Sequence, residues 1–252
     1  MILVSDYDGT LKRQDISPKD IQAINTFRDK GHLFGIATGR TINFLTDETK
    51  DYDFETDFII GTNGGIIQIA DETYLSKIGL ETIQKLFKFA LKYPDTIIIV
   101  SDGFDYSEPL VSADPAVFQK DSGTDEVFFN SAIIKNTASL EGNLQIFNDL
   151  QAEDFQDLEF FFNNYNGGII DIAPKGVSKS TAIYQTFVEK MNFPESGIFT
   201  IGNSLNDLEM VQDFNGFAVS DSDPQLLEVA SKTFPDIASC ITYLLSLPDK
   251  LS

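Results

Sequence analysis

Strand-like apolar segments alternate with amphipathic helical segments at both ends of this chain. Near the N-terminus, the stretches ILVSD and HLFGIAT each precede a helical stretch, and DFIIGTNGGIIQI indicates two further short strands. The first helix has clear ends, with Ser17 as its N-cap, Pro18 at its first position and Gly31 as its stop. Such alternation predicts a parallel sheet whose strands are joined by crossover helices.

The pattern changes in the middle of the chain, from about Leu80 to Gly168. This region predicts helices at 81–93 and 139–150 and strands at 96–100, 127–135 and 158–164. The alternation of helices and strands returns with a helix at 178–191 and continues to the end. We therefore expect an α/β core made of residues 1–79 and 169–252, with an α+β domain of residues 80–168 inserted in it.

The composition limits the partners of such a chain. Its 252 residues are 42% apolar, which suffices for one large core or two modest ones. A total of 18 Lys and Arg against 39 Asp and Glu gives a net charge of −21, so most of the surface repels nucleic acid and anionic membranes. An anionic substrate would therefore need a local positive centre.

Other features of the sequence bear on its location. No segment has the roughly 18 consecutive apolar residues of a membrane span, and the N-terminus lacks the basic and apolar pattern of a signal peptide. We therefore expect a cytoplasmic protein. The single cysteine, Cys240, excludes an internal disulfide and a multi-cysteine metal site. The oligomeric state stays open, and a monomer is compatible with the sequence.

Polar clusters follow several predicted strands, and ligands of open parallel sheets bind beyond the carboxyl ends of the strands. Asp6 and Asp8 follow the first strand, where side chains two residues apart point the same way, roughly 6 to 7 Å from each other. Several carboxylates in one pocket repel each other unless a cation lies among them, and Mg²⁺ suits such oxygen ligands. The clusters are Asp6-x-Asp8-Gly9-Thr10, Ala37-Thr38-Gly39-Arg40, Lys179, and Gly202-Asn203-Ser204-Leu205-Asn206-Asp207.

Each cluster also has a purely structural interpretation. The stretch DYDGT is typical of a turn that closes a strand, Thr38 can cap the next helix, and Lys179 can be a solvated helix lysine. The stretch TNGG around Asn63 is an ordinary hairpin turn signal. His32 follows a helix stop, which is typical of a surface residue, and the sequence shows no histidine triad motif. The joint occurrence of the clusters at strand ends favours a functional site, in which Lys179 would neutralise a bound phosphate.

The stretches DYDGT, ATGR, TNGG, GVSKS and GNSLNDLEM resemble, in this order, the motifs of the haloacid dehalogenase superfamily of phosphatases. The inserted region is similar in length and pattern to the cap of the Cof-like (type IIB) members. The resemblance implies a Rossmann-like doubly wound core, Mg²⁺ as cofactor and a small phosphorylated metabolite as substrate. In the stretch that resembles the first family motif, the resemblance implies that Asp6 is the nucleophile that becomes an aspartyl phosphate and that Asp8 is the general acid and base. Burial under the cap would favour the protonated Asp8 that the acid role requires.

The same resemblance assigns the remaining site residues. Thr38 binds the phosphoryl oxygens, and Lys179 pairs with both the nucleophile and the phosphate. The implied phosphate-binding set is Gly9, Thr38, Gly39, Arg40, Asn63, Lys179 and Asn206, and the implied metal ligands are Asp6, Asp8, Asn203 and Asp207.

One position departs from the family pattern. The last motif usually reads Gly-Asp-x-x-Asn-Asp, and this chain has Asn203 where the first Asp, normally a direct Mg²⁺ ligand, is expected. An amide oxygen can coordinate Mg²⁺ but brings no negative charge, so we expect a weak metal site. Asp207 would then act as a ligand through water or from behind the direct ligands, and Asn206 is retained.

Three other functions fit the same residues. A phosphosugar mutase passes the aspartyl phosphate to a sugar hydroxyl, a phospho-accepting signalling module keeps it, and a degenerate protein binds phosphate or metal without turnover. The chain length, the insertion and DYDGT favour a phosphatase that hydrolyses small phosphomonoesters, such as sugar or cofactor phosphates. The substrate itself stays open, because the sequence does not reveal which cap side chains face the pocket.

Overall fold

The computed structural model describes residues 1–107, 128–163 and 167–248. Its core is an eight-stranded sheet with the spatial order β14 (Lys232–Phe234), β13 (Asn215–Val219), β12 (Ile198–Gly202), β1 (Ile2–Ser5), β2 (Leu33–Ala37), β3 (Phe58–Gly61), β4 (Ile66–Ile69) and β5 (Glu72–Leu75). The strands from β14 to β3 are parallel, and β4 and β5 are antiparallel to their neighbours. The predicted α/β fold class is therefore confirmed.

Helices cover both faces of this sheet. Successive residues of β1 point to opposite faces, so Leu3 packs in one apolar cluster while Ile2 and Val4 pack in another. The first cluster includes α1 and α8, and the second includes α5 and α6. The helices of the core are α1 (Pro18–Asp29), α2 (Ile42–Thr49), α5 (Lys179–Ile183), which continues as a π-helix over Tyr184–Lys190, α6 (Leu208–Asp213), α7 (Pro224–Val229) and α8 (Ile237–Leu245).

The first helix begins and ends as its sequence predicts. The Ser17 side chain accepts a hydrogen bond from the Asp20 N–H at 3.2 Å, and Pro18 occupies the first helical position. After the last residue of the helix, Gly31 adopts a φ of +80°, a conformation that glycine reaches without strain. Local signals are therefore sufficient to fix both ends of α1.

The chain between β5 and α5 forms a second unit, called the inserted region below and defined as β6 to β11. Four of its strands form an antiparallel sheet in the order β10 (Leu158–Asn163), β11 (Ile169–Pro174), β9 (Ser131–Asn136) and β7 (Thr96–Ser101). A separate pair contains β6 (Ile78–Gly79) and β8 (Phe128–Phe129). Helices α3 (Leu80–Ala90) and α4 (Leu140–Ala152) pack on one face of the four-stranded sheet.

Two sequence predictions for this region differ from the structure. The single strand predicted at 127–135 is divided at Asn130, because β8 and β9 pair in different sheets. Strand β11 lies between β10 and β9, so the boundary predicted after residue 168 falls inside the sheet, and we propose that the inserted unit extends to Pro174. Residues 127 and 164 of the predicted strands lie outside the described residues.

The TNGG stretch is not a two-residue hairpin turn. Gly61 pairs with Ile66 across the β3–β4 hairpin, and a short 3-10 turn over Thr62–Gly64 fills the loop. Both Thr62 and Asn63 have positive φ, at +47° and +54°, and Asn63 is buried. A buried asparagine in a strained backbone indicates that the loop is shaped for contacts of its side chain.

Hydrogen bonds hold the inserted region against the core. Asn130 is fully buried, and its side-chain nitrogen donates to the carbonyl oxygens of Ser76, at 2.8 Å, and of Gly65. At the start of α2, the Ile42 and Asn43 N–H groups donate to the carbonyl oxygens of residues 103 and 104 in the loop after β7, each at 3.1 Å. The inserted region thereby satisfies donors that the first turn of a helix leaves unpaired. Across the described ranges, the helices are too short or too polar to span a membrane.

We predict that Asn130→Ala destabilises the protein by about 2 kcal/mol or more, because the buried carbonyls and the Thr62 hydroxyl that bind Asn130 lose their partner. The change is measured as the shift in the midpoint of urea unfolding. The matched control is Asn148→Ala, at an exposed position of α4, which should leave the midpoint nearly unchanged. Equal midpoints for the two variants would show that Asn130 does not tie the two units together.

Candidate active site

The carboxyl ends of β1, β2 and β12 meet at one edge of the core sheet, beneath the inserted region. Asp6 follows β1, Thr38 follows β2 and Asn203 follows β12, so the three residues lie where ligands of open parallel sheets bind. They line a pocket of about 320 Å³, a volume within the range of small-molecule sites. Of the predicted site residues, the pocket lining includes Asp6, Asp8, Thr38, Gly39, Arg40, Asn203 and Asn206.

Lys179 joins two carboxylates behind this pocket. Its Nζ donates to Asp6 Oδ1 at 2.7 Å and to Asp207 Oδ1 at 2.6 Å, and all three side chains are buried. Lys179 is the first residue of α5, where a positive charge opposes the helix dipole. The charged Lys179 is tolerated there because two carboxylates bind its ammonium group. The Ser178 side chain also caps the helix by accepting a hydrogen bond from the Thr181 N–H.

Burial and charge together set the protonation of these groups. Burial, with the Asp207 charge adding to it, raises the pKa of Asp6 to about 7, although Lys179 acts in the opposite direction. Burial alone would lower the pKa of Lys179, but the Asp207 and Asp6 carboxylates outweigh it and raise that pKa above its ordinary value. Lys179 is therefore a permanent cation, and one more positive charge beside Asp6 would favour the ionised form of Asp6.

Asp207 lies behind Asp6 and is fully buried. Its Oδ1 accepts from Lys179, and its Oδ2 accepts from the N–H groups of Asn203 at 2.9 Å and Ser204 at 3.1 Å. The sequence predicts Asp207 as a metal ligand through water or as a group behind the direct ligands, and in the structure both of its oxygens accept hydrogen bonds from the protein. Asp207 therefore orients Lys179 and the loop after β12.

The Asp8 carboxylate pairs with Arg40 at the mouth of the pocket. Arg40 Nε donates to Asp8 Oδ2 at 2.8 Å, and Arg40 Nη2 donates to Asp8 Oδ1 at 3.1 Å. The Asp8 side chain is 47% exposed, so the burial expected from the sequence is not found at this residue. The Arg40 guanidinium also lies 4.5 Å from the centre of the Phe44 ring, which fixes its plane.

A chain of hydrogen bonds connects the loops after β2, β3 and β12. The Asn63 N–H donates to the Thr38 carbonyl at 2.9 Å, and Asn206 Nδ2 donates to Asn63 Oδ1 at 3.1 Å. Thr38 Oγ1 accepts from the Arg40 N–H at 3.1 Å. A Cβ at Gly39 would lie 3.3 Å from the Asn63 side chain, so a glycine there permits close packing. Asn63 does not line the main pocket and instead supports the residues that do.

The Asn203 amide faces the Asp6 carboxylate. In the structure its Oδ1 accepts from Thr10 Oγ1 at 3.1 Å. Turned by 180°, the amide nitrogen would donate to Asp6 Oδ2, the Asp8 carbonyl oxygen and Thr10 Oγ1, each at 3.1 Å. Gly9 permits this approach, because its φ is +87° and a Cβ there would lie 2.3 Å from Asn203 Nδ2.

The oxygens around Asn203 fit a small divalent cation. Asp6 Oδ2 and the Asp8 carbonyl oxygen each lie 3.1 Å from the inward atom of the Asn203 amide. Adjacent ligands of an octahedral Mg²⁺ are about 3 Å apart when each metal–oxygen distance is about 2.1 Å. Only one of the three groups is a carboxylate, and within the described residues no three His, Cys, Asp or Glu side chains converge on a metal position. The two distances therefore suit ligands of Mg²⁺, and the three groups carry little negative charge.

Several residues that line the pocket were not identified from the sequence. They come from the inserted region and its loops and are Ile99, Tyr106, Ile133, Lys135, Asn163, Ile169 and Asp171. Strand β11 carries a signal that sequence reasoning can use, because Asp171 is a single charge between the buried Ile170 and Ile172. A charge that alternates with buried residues on a strand lies on the opposite face, which here is the face above Asp6.

The chain is similar to known proteins over nearly its whole length. A family model described as haloacid dehalogenase-like hydrolase matches residues 3–239. Among curated proteins, the comparison found no match.

Solved structures share the fold over nearly the whole chain. A haloacid dehalogenase-like hydrolase from B. subtilis has a TM-score of 0.81 at 16% identity, with 98% of this chain and 99% of that chain covered. One from Bacteroides thetaiotaomicron has a TM-score of 0.75 at 19% identity, with 96% and 98% covered. A structure described as a HAD subclass IIB sugar phosphatase has a TM-score of 0.75 at 17% identity, with 98% and 99% covered. At these identities the likeness shows the fold.

We predict that Asn203→Asp tightens Mg²⁺ binding by about tenfold or more, because one added charge-assisted contact is worth at least ~1.4 kcal/mol. Titration calorimetry measures the affinity directly. Without metal, the new carboxylate would lie about 3.1 Å from Asp6 Oδ2 and would repel it. Because Mg²⁺ would relieve this repulsion, the variant should also gain more thermal stability from Mg²⁺ than the wild type does.

The matched control for this prediction is Asn148→Asp, the same change at an exposed position of α4. Its Mg²⁺ affinity should equal that of the wild type. Unchanged or weaker Mg²⁺ binding by Asn203→Asp would mean that residue 203 does not contact the metal.

Proposed function

The chain belongs to the haloacid dehalogenase-like hydrolases, and on this basis we propose that it is a Mg²⁺-dependent phosphatase that hydrolyses small phosphomonoesters through an aspartyl phosphate on Asp6. The observation that carries the proposal is the position of Asp6. Its carboxylate lines the pocket, while Lys179 holds its Oδ1 from behind at 2.7 Å. A fixed carboxylate beside a permanent cation is arranged to attack an anionic phosphoryl group.

The first step would transfer the phosphoryl group to Asp6. A carboxylate oxygen of Asp6 forms a bond to phosphorus as the bond from phosphorus to the leaving oxygen breaks. Asp8 gives its proton to that leaving oxygen, so the product departs as an alcohol. The Thr38 hydroxyl and the Arg40 guanidinium line the same pocket and would bind the other phosphoryl oxygens.

The second step would release phosphate. A water molecule attacks the phosphorus of the aspartyl phosphate, Asp8 takes a proton from it, and the Asp6 carboxylate is regenerated. Asp8 therefore has to alternate between protonated and ionised forms. Its present partner is Arg40, and a bound phosphate dianion would compete with Asp8 for that guanidinium. Substrate binding would thus free the Asp8 carboxylate, which would take up a proton from solvent and then give it to the leaving oxygen.

Mg²⁺ would be held by Asp6 Oδ2, the Asp8 carbonyl oxygen and Asn203 Oδ1, and when bound it would neutralise phosphoryl charge and favour ionised Asp6.

The inserted region would act as the cap, because it roofs the pocket and would limit access of water to Asp6. The partner we propose is a small phosphorylated molecule whose alcohol part fits beneath this roof.

We predict that Asp6→Asn lowers phosphatase turnover by several orders of magnitude, because the amide keeps the shape of the side chain and removes the nucleophile. Release of inorganic phosphate from phenyl phosphate with Mg²⁺ measures the rate. The control Asp51→Asn changes an exposed carboxylate outside the pocket and should keep the wild-type rate. Retention of most of the rate by Asp6→Asn would exclude the covalent mechanism.

The same assay separates the other functions that the sequence allows. A wild-type protein that becomes phosphorylated without releasing phosphate would be a phospho-accepting protein. Transfer of the phosphoryl group to a sugar hydroxyl, seen by product analysis, would indicate a mutase. Binding of phosphate or metal without either reaction would indicate a degenerate site.

We predict that Asp8→Asn slows the hydrolysis of alkyl phosphates by at least tenfold more than that of aryl phosphates. The reason is that an alkoxide is a poor leaving group and needs the proton of Asp8, whereas a phenolate needs it less. The measurement is kcat/KM for glycerol 2-phosphate and for phenyl phosphate in the wild type and the variant. Equal losses on the two substrates would remove the acid role of Asp8.

A further inference from the structure

The roof of the pocket is one face of the four-stranded sheet in the inserted region. Alternate residues of its strands point down to the pocket, and the residues between them point up to α3 and α4. On β9, for example, Ile134 lies in the upper apolar cluster and its neighbours Ile133 and Lys135 line the pocket. The residues that line the pocket from this face are Ile99, Ile133, Lys135, Asn163, Ile169 and Asp171.

Three of these six residues are isoleucines, and two of the other three, Lys135 and Asp171, are charged. A carboxylate in such surroundings must find donors, because burial without them is costly. Burial raises the pKa of Asp171 to about 6, and Lys179, Asn63 and Arg40 act against it. Lys179, however, donates to Asp6 and Asp207, and Arg40 donates to Asp8. The Asn63 side chain forms a hydrogen bond with Asp171. Within the described residues, no Lys or Arg forms an ion pair with Asp171.

Lys135 is the second charge in the roof. Asp171 lies directly opposite Ile133 in the sheet, and Lys135 is two residues further along β9, so Asp171 and Lys135 are diagonal neighbours on one face. Diagonal neighbours in a sheet are roughly 7 to 8 Å apart. In the part of the chain that the structure describes, no carboxylate lies within ion-pair distance of Lys135. The roof thus presents a negative and a positive group side by side, each open to the pocket.

We propose that Asp171 and Lys135 are the residues that select the substrate by binding its alcohol part. Asp171 accepts a hydrogen bond from a hydroxyl or ammonium group, and Lys135 binds a carboxylate. The matching substrates are phosphate monoesters of small hydroxy acids or amino acids, which carry a donor and an anion on one short skeleton. The isoleucines offer no polar contacts, so an ester without these groups would leave Lys135 without an anionic partner and Asp171 with Asn63 as its hydrogen-bond donor. This inference rests on the proposed phosphatase activity.

The test compares three probes. Phenyl phosphate has neither group on its alcohol part, glycerol 2-phosphate has only hydroxyls, and 3-phosphoglycerate has a hydroxyl and a carboxylate. Because their intrinsic reactivities differ, the quantity compared is the ratio of kcat/KM in each variant to kcat/KM in the wild type, probe by probe. The variants are Asp171→Asn and Lys135→Met, and the thermal midpoint of each variant confirms that it is folded.

The proposal expects selective losses. Asp171→Asn should lose about tenfold or more on both glycerol 2-phosphate and 3-phosphoglycerate, and Lys135→Met should lose as much on 3-phosphoglycerate alone. Both variants should keep the wild-type rate on phenyl phosphate within about threefold. Two controls make the same chemical changes near the sheet but outside the pocket, namely Glu159→Gln and Lys175→Met, and they should leave all three ratios near one.

Two outcomes would overturn the inference in distinguishable ways. Equal losses on all three probes would mean that Asp171 and Lys135 support the fold of the roof and do not contact the alcohol part. The phosphatase proposal would survive that result. Failure of the wild type to release phosphate from any of the three probes would overturn the phosphatase proposal and the inference together.

Discussion

The buried ammonium of Lys179 is the interaction on which the rest of the site depends. Two carboxylates and one ammonium cannot stay buried unless they bind each other, so Asp6, Asp207 and Lys179 have to meet at one point. This requirement brings together the end of β1, the start of α5 and the loop after β12. The set carries one negative charge in excess when both carboxylates are ionised. A cation beside Asp6 would offset that excess, and the oxygens around Asn203 are placed to hold one.

The eight-stranded and the four-stranded sheet contribute different residues to the pocket. The edge of the parallel sheet carries the groups that would handle the phosphoryl transfer, which are the same for any phosphomonoester. The antiparallel sheet above it carries Asp171 and Lys135, which line the same pocket and which we propose contact the part of the substrate beyond the phosphate. Hydrogen bonds of Asn130 and the capping of α2 by the loop after β7 keep the second sheet over the first. A change in the roof can therefore alter the choice of substrate without altering the reacting groups.

Sequence reasoning found the parts of the site that depend on local pattern and missed those that depend on strand pairing. Asp6, Thr38 and Asn203 could be predicted because each follows a strand of a parallel sheet, and the ends of α1 because Ser17 and Gly31 are local signals. The sequence pattern gives the face of β11 on which Asp171 lies. It does not predict that this face lines the pocket, because β11 gains its position only by pairing with β9 and β10. The role of Asp207 also depends on tertiary structure, since Lys179 and two backbone N–H groups take its oxygens. The contact between Asp8 and Arg40, which joins loops after two different strands, has the same origin.

The central claim is that Asp6 becomes covalently phosphorylated, and chemical trapping tests it most directly. The wild-type protein is quenched with acid during turnover of phenyl phosphate, reduced with borohydride and digested for peptide mass mapping. An acyl phosphate is reduced to an alcohol, so residue 6 should be recovered in part as homoserine, and only when substrate was present. Two results would contradict the account. In the first, phosphate is released and residue 6 is recovered entirely as aspartate. In the second, the reduced residue lies at another position.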